Sequence, residues 1–481
     1  MLYRRTKISD NIVDSIQYWR RETILDLLIQ NGHVVNAENS QDVDIAIKDG
    51  KIVAIGEAAQ MAEAEKTIDA KGLWVLPGMI DAHAHLHKTQ GSSPSLDDYY
   101  NGSIAAAYGG TTALIDFAFP YGEQTPQQAM EQKLNEIRSQ SVIDYSFHSN
   151  LTRAEERCYQ EIRELMQQGF PSVKMFTVNR KSGRMLEKKG VLATLRMIEE
   201  ENGLAMIHAE SSDLVECYID DLVANGHTAA VDHQKAHPVI SEVEAMYSVW
   251  SMLRETGAPA LIAHLTSAAA GQMIRQAKKE TKLFIETCPH YLALEKSVYD
   301  GADAALYVCS PPMRDEENRQ GLWALLEEGL IDVVNSDHTD FSSEQKFRNK
   351  DFFPKIPNGI PCLETRGMVL FSTGVATGRI SENKFVEITS ANQAKMMGMY
   401  PHKGVLQVGS DADIAIVDPK AKVRMTAKDT HMQTDFSVYE GMEMTGKVLY
   451  TIARGNVIIE NGAFTNTAHR GELMRRTGPV L

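Results

Sequence analysis

The chain changes its rhythm of apolar and polar positions three times. Residues Asp10 to Glu22 place Ile12, Val13, Ile16 and Trp19 on one helical face behind Ser9 or Asp10 as N-cap, which predicts a short docking helix. From Leu25 to Ile68 short alternating runs are broken by Asn31-Gly32 and Asp49-Gly50, a pattern that predicts β-hairpins. The same pattern returns near the C-terminus, punctuated by Gly455-Asn456 and Asn461-Gly462. Two all-β flanks around a long middle predict one β-sandwich domain assembled from both chain ends.

In the middle, strand-like runs alternate with amphipathic helical segments, the pattern of βα units on a parallel sheet. The predicted strands are 74–85, 111–119, 142–150, 172–177, 204–210, 260–266, 283–290 and 332–338. Eight such repeats predict a (β/α)8 barrel. The resulting division is an N-terminal extension 1–23, a composite β domain 24–76 with 404–464, a barrel 77–403 and a C-terminal tail 465–481.

Composition narrows the class. The formal charge of −15 argues against a nucleic-acid partner, and five cysteines without a CxxC pair suit reduced thiols. The N-terminus lacks an apolar leader core and no run reaches membrane-spanning length, so a soluble, cytoplasmic protein is expected. Two N-x-S/T matches, at Asn101 and Asn150, carry no weight in that setting.

The residues that carry chemistry fall at the C-terminal ends of the predicted strands: His83, His85, Lys174, His208, His264 and Asp337. All strand C-termini of a barrel open onto one face, so these side chains are expected to converge. The spacing of His83 and His85 aims both imidazoles to one side of a strand, as a shared metal requires. His87 continues the alternation where the strand is expected to turn away. Four neutral imidazoles suit Zn²⁺ or a similar cation rather than Mg²⁺ or Ca²⁺. Lys174 has two readings: an ion-paired lysine, or a desolvated amine that adds CO2 and becomes an anionic carbamate ligand. Asp337 could bind metal through one oxygen and exchange a proton through the other, or simply cap a helix, and His338 points away behind it.

The collinear strings LPGMIDAHAH, GGTTALIDF, VKMF, IHAES, AHLTS, ETCPHYL, SPPMR, NSDH, KIPNGIP, GSDADIAIVDP and TDFSVYEGM resemble the cyclic amidohydrolases of the dihydropyrimidinase and hydantoinase type, from about residue 24 to 475. The resemblance implies two divalent cations, most readily Zn²⁺, with His83 and His85 on one and His208 and His264 on the other. It makes Lys174 the carbamylated bridge and Asp337 the metal-bound catalytic aspartate. Ser310 and Asn358 match positions whose backbone groups hold the cyclic imide or ureide ring, and a homotetramer is implied.

One position departs from the family. Asn179 stands where a tyrosine usually polarises the attacked carbonyl; its NH2 can donate, but from a shorter arm. The segments GRMLEKKG and KTQGSSPSLDDYY are expected to line the substrate's exocyclic group. The function implied is ring opening of a dihydropyrimidine or hydantoin to an N-carbamoyl amino acid by a metal-bridging hydroxide. The alternatives are an allantoinase-like or other cyclic-amide specificity and, more remotely, a non-catalytic scaffold. Dihydroorotate would call for a dedicated arginine, and no arginine near the strand ends stands out for that task.

Overall fold

The computed structural model describes residues 24–61, 63–88 and 93–480. The helix expected over Asp10 to Glu22 lies outside them. Among the described residues no helix is long and apolar enough to cross a membrane.

Eight parallel strands form the central sheet: β1 (Met79–Asp81), β2 (Thr111–Ala118), β3 (Asp144–Asn150), β4 (Ser172–Phe176), β5 (Leu204–His208), β6 (Ala260–Ile262), β7 (Leu283–Thr287) and β8 (Val333–Val334), each beside the next in chain order. Every residue of β2, β4 and β5 is buried, as strands covered by helices on one face and barrel core on the other must be. Several of the intervening helices are amphipathic and locally specified. The helix Pro126–Ile137, for example, starts with proline at its first turn and a reciprocal capping box between Thr125 and Gln128. The architecture is a (β/α)8 barrel carrying a smaller β unit built from both ends of the chain.

That β unit is one continuous nine-stranded sheet. It folds over itself where Ile52 and Gly50 bond to the backbone of residues 409–412, and encloses Ile29, Ile45, Ile68, Val75, Ile414 and Ile452. Asp49-Gly50, Arg454-Gly455 and Asn461-Gly462 take positive φ at both positions, which matches the twist of the hairpins they close. Asn31-Gly32 does not close a hairpin. It makes a bulge inside the single strand Leu25–Val35, where the register shifts between Ile29 and Gly32.

The strand expected over 74–85 is split three ways. Trp74–Pro77 joins the β unit, antiparallel to Ile414–Arg424, and only Met79–Asp81 enters the barrel. The chain changes sheets at Gly78, where a Cβ would lie 2.1 Å from Thr112 Oγ1. Only glycine fits that approach. The third piece, Ala84–His85, pairs in parallel with His338–Thr339. This short pair, with Ala82 N–H donating to Asn335 Oδ1 and Ser336 Oγ–H to the His83 carbonyl, joins the first barrel strand to the last. At the opposite end of the barrel the C-terminal segment packs against β3, and the buried Arg476 guanidinium donates to Ser146 Oγ, Phe147 O and Ser172 Oγ.

Candidate metal centre

The six chemistry-bearing residues reach one cavity by different local routes. His208 is the last residue of β5 and Lys174 the middle residue of β4. His264 and Asp337 lie beyond their strands, both in left-handed backbone, with φ of 42° and 47°. Non-glycine residues adopt that conformation at a cost, and such positions cluster at functional sites. His83 sits just past β1 and His85 on the short closing pair. All six line a cavity of about 210 Å³ at the C-terminal mouth of the barrel.

Three of them form the tightest group. His83 Nε2 lies 3.0 Å and His85 Nε2 3.3 Å from the same oxygen, Asp337 Oδ1. Lys174 Nζ stands 3.4 Å from His83 Nε2. His208 and His264 form the other side, with ring centroids 4.4 Å apart, and the His264 ring lies 5.6 Å from that of His83. His264 Nδ1 is buried with no hydrogen-bond partner among the described residues. His87 stays out of this cluster and packs against Tyr99. His338 also stands behind it: its Nδ1 accepts from Cys362 N–H at 3.2 Å.

The protonation states favour ligation. Burial holds the imidazoles of His85, His208 and His264 below their ordinary range, so their lone pairs are available near neutral pH. Burial raises the Asp337 carboxyl, but His83, His85 and His264 outweigh it and keep the group well below the carboxylate range. Burial would also lower His83, yet the Glu286 carboxylate prevails and lifts it to about 9. Lys174 makes no ion pair with described residues, its ammonium faces Phe117 and Phe176, and burial brings it down to about 8.

A set of supporting carboxylates was not anticipated from the sequence. Glu286 Oε1 accepts from His83 Nδ1 at 2.7 Å and from the His264 N–H at 2.9 Å, and its Oε2 accepts from Asn335 Nδ2 at 2.6 Å. Glu210 Oε2 bonds His208 Nε2 at 2.7 Å and its Oε1 bonds His237 Nδ1 at 2.9 Å. A carboxylate on the far nitrogen fixes the tautomer and turns the other nitrogen toward the cavity. The available signal was an acidic residue closing an apolar strand, in LFIET and MIHAE, since a buried carboxylate must be paired.

The remaining expected residues stand on the cavity wall. Ser310 Oγ–H donates to Asn358 Oδ1 at 2.9 Å, and the main-chain polar groups of both residues bond to no described residue. Asn179 lines the cavity in left-handed backbone, φ 71°, at the start of the turn Arg180–Ser182. Contrary to the sequence reading, an arginine does reach the pocket: Arg184 lines it from the segment after Asn179, as Lys88 does from the segment after β1.

A parallel-stranded barrel with a buried constellation of histidines, a lysine and an aspartate at its mouth is an amidohydrolase architecture. The profile of the amidohydrolase family matches residues 74–458, and the chain belongs to that family. Among its relatives, the D-phenylhydantoinase of Escherichia coli O7:K1 (strain IAI39) is 35% identical over 463 residues, 95% of this chain and 100% of that protein. The solved dihydropyrimidinase of Brevibacillus agri NCHU1002 superposes with a TM-score of 0.91 at 35% identity, covering 94% of this chain and 98% of that one. The L-hydantoinase (dihydropyrimidinase) of Arthrobacter aurescens gives 0.87 at 28% identity, covering 94% and 100%.

Proposed function

We propose that this protein is a metal-dependent hydrolase that opens a dihydropyrimidine or hydantoin ring to an N-carbamoyl amino acid. The observation that carries the reading is the convergence of His83, His85, Lys174, His208, His264 and Asp337 on one cavity, backed by Glu286 and Glu210. The hydantoinase and dihydropyrimidinase relatives point the same way.

His83 and His85 would hold one divalent cation and His208 and His264 a second, with Lys174, carbamylated by CO2, between them. Nitrogen and carboxylate donors of this kind suit Zn²⁺. Cations held by these residues would supply acidified water and polarisation of the scissile carbonyl. Asp337 receives the proton of the attacking water on its carboxylate and returns it to the ring nitrogen as the C–N bond breaks. The free main-chain groups of Ser310 and Asn358 orient the ring's imide edge. Asn179 offers its amide N–H to the carbonyl oxygen as negative charge develops there. We propose a cytoplasmic homotetramer as the working form; light scattering reads the assembly.

The test is ring opening of dihydrouracil, hydantoin, 5-substituted hydantoins, allantoin and dihydroorotate by zinc-loaded protein with bicarbonate present, alongside Asp337→Asn. Turnover of a dihydropyrimidine or hydantoin, with kcat of the variant reduced by about 10³ or more and bound metal largely retained, is expected. Activity confined to allantoin moves the specificity elsewhere on the same centre. Silence on every ring together with no bound metal would favour a scaffold.

A further inference from the structure

The cavity wall carries two cations that make no hydrogen bond or ion pair with a described carboxylate. Arg184 lies on the segment GRMLEKKG, and its guanidinium stacks 5.1 Å from the Phe119 ring centroid. Its side chain makes no hydrogen bond or ion pair with any described residue. Lys88 opens the segment KTQGSSPSLDDYY; its ammonium faces the Phe341 ring at 5.2 Å and likewise has no acceptor among the described residues. The two cations feel one another: burial, then the charge of Arg184, outweigh the attraction of Asp340 and bring the Lys88 ammonium down to about 8.

The other charges on the wall have partners or belong to the metal centre, apart from Glu136 Oε2, which is buried with no hydrogen-bond partner among the described residues. Lys133 pairs with Asp116 at 3.1 Å and also donates to the carbonyls of Leu86 and His87. Lys174 and Asp337 belong to the metal centre. Glu136 accepts from Gln132 Nε2 at 2.7 Å, not from either cation. Two half-buried cations without a hydrogen-bonded acid forfeit solvation that an aromatic face only partly replaces. A planar carboxylate is the group that restores it: the guanidinium offers a two-pronged donor edge and the ammonium a second point of attraction.

We propose that the exocyclic substituent of the physiological ring is an anion, a carboxylate held between Arg184 and Lys88, so that the enzyme prefers acid-bearing hydantoins or dihydropyrimidines to neutral ones. This rests on the ring-opening reading above. The two segments are those expected from the sequence to surround the substituent, and each supplies one cation.

The probe is a matched pair of the same shape, hydantoin-5-acetic acid and hydantoin-5-acetamide, with the one-carbon-longer propionic pair to vary reach. Wild-type kcat/KM for the acid should exceed that for the amide by about 10- to 100-fold, the range of a charge-assisted hydrogen bond, with the acid's KM rising as salt is raised. Arg184→Gln should cut the acid-to-amide ratio by about tenfold or more, Arg184→Lys should recover part of it, and Lys88→Gln is a second, independent variant. Bound metal and circular dichroism report that each variant is folded. Equal use of acid and amide by the wild type, or a ratio untouched in both glutamine variants, overturns the anion preference and leaves ring opening standing. Failure to open either ring of both pairs and the neutral rings of the earlier panel overturns the ring-opening reading itself.

Discussion

Replacing Glu286 by glutamine isolates what the supporting carboxylate does. In the native site three donors converge on it, His83 Nδ1–H and the His264 N–H on one oxygen and Asn335 Nδ2–H on the other. Glutamine has one accepting oxygen. If that oxygen keeps the two bonds to His83 and His264, the new NH2 faces Asn335 Nδ2, donor against donor. Asn335 cannot turn its amide over, because its Oδ1 already accepts from Ala82 N–H and from Gln393 Nε2. If glutamine turns instead, its NH2 faces His83 Nδ1, and the imidazole must move its proton to Nε2, the nitrogen aimed at Asp337. Either way one buried donor is stranded, at about 1–3 kcal/mol, or a metal-facing lone pair is lost. The expected cost in metal affinity is about 10- to 100-fold, equivalent to about 1.4–2.7 kcal/mol. Competition against a chromophoric chelator measures it, and kcat at saturating metal should recover much of the loss because the reacting groups are intact. A variant that binds metal within twofold of wild type would refute the argument that Glu286 orients His83.

Other consequences are equally direct. Lys174→Ala should lose both metal and turnover, and short carboxylic acids should restore part of each by standing in for the carbamate; full activity without added acid excludes a bridging role. Asn179→Gly removes the amide while keeping a backbone that glycine adopts freely at φ 71°, so a fall in kcat of about 10- to 10³-fold reports a lost oxyanion donor, and an unchanged kcat removes Asn179 from that role. In the metal-free protein His83 keeps its proton up to about 9, and metal must displace it. Apparent metal affinity should therefore climb with pH and level off above about 9, whereas a flat profile from pH 6 to 9 in calorimetric titrations would contradict it.

Much of this was legible in the chain because buried parallel strands leave an unusually clean trace. Runs such as LAMIH and SVKMF have no polar face, so a histidine or lysine within them stands out against its background. The β-rich flanks were equally plain from their Asp-Gly and Asn-Gly turns. What escaped had two physical origins. Some signals were local but ambiguous: Asn31 takes a positive φ in a bulge as it could in a hairpin, and Gly78 ends one strand and begins another without interrupting the apolar run. Others were not local at all. Glu286 is only a strand-ending acid until the fold lays His83, His264 and Asn335 around it. Arg184 and Lys88 look like ordinary loop cations among many, because their significance lies in the absence of a hydrogen-bonded carboxylate among the described residues, and pairing is a property of three dimensions.

The seam between the first and last barrel strands deserves to be seen as a mechanical part. Elsewhere the ring is a ladder, but here it is fastened by Ala84–His85 on His338–Thr339 and by the Ser336 hydroxyl, which reaches across 253 positions of sequence to His83. The catch of this hoop is thus made from the residues that flank His83, His85 and Asp337. Any cation that draws those three side chains together also tightens the hoop, so occupancy and the integrity of the whole barrel become one equilibrium. Stripping metal should therefore speed amide exchange first at 79–85 and 333–339, well before the helical shell loosens.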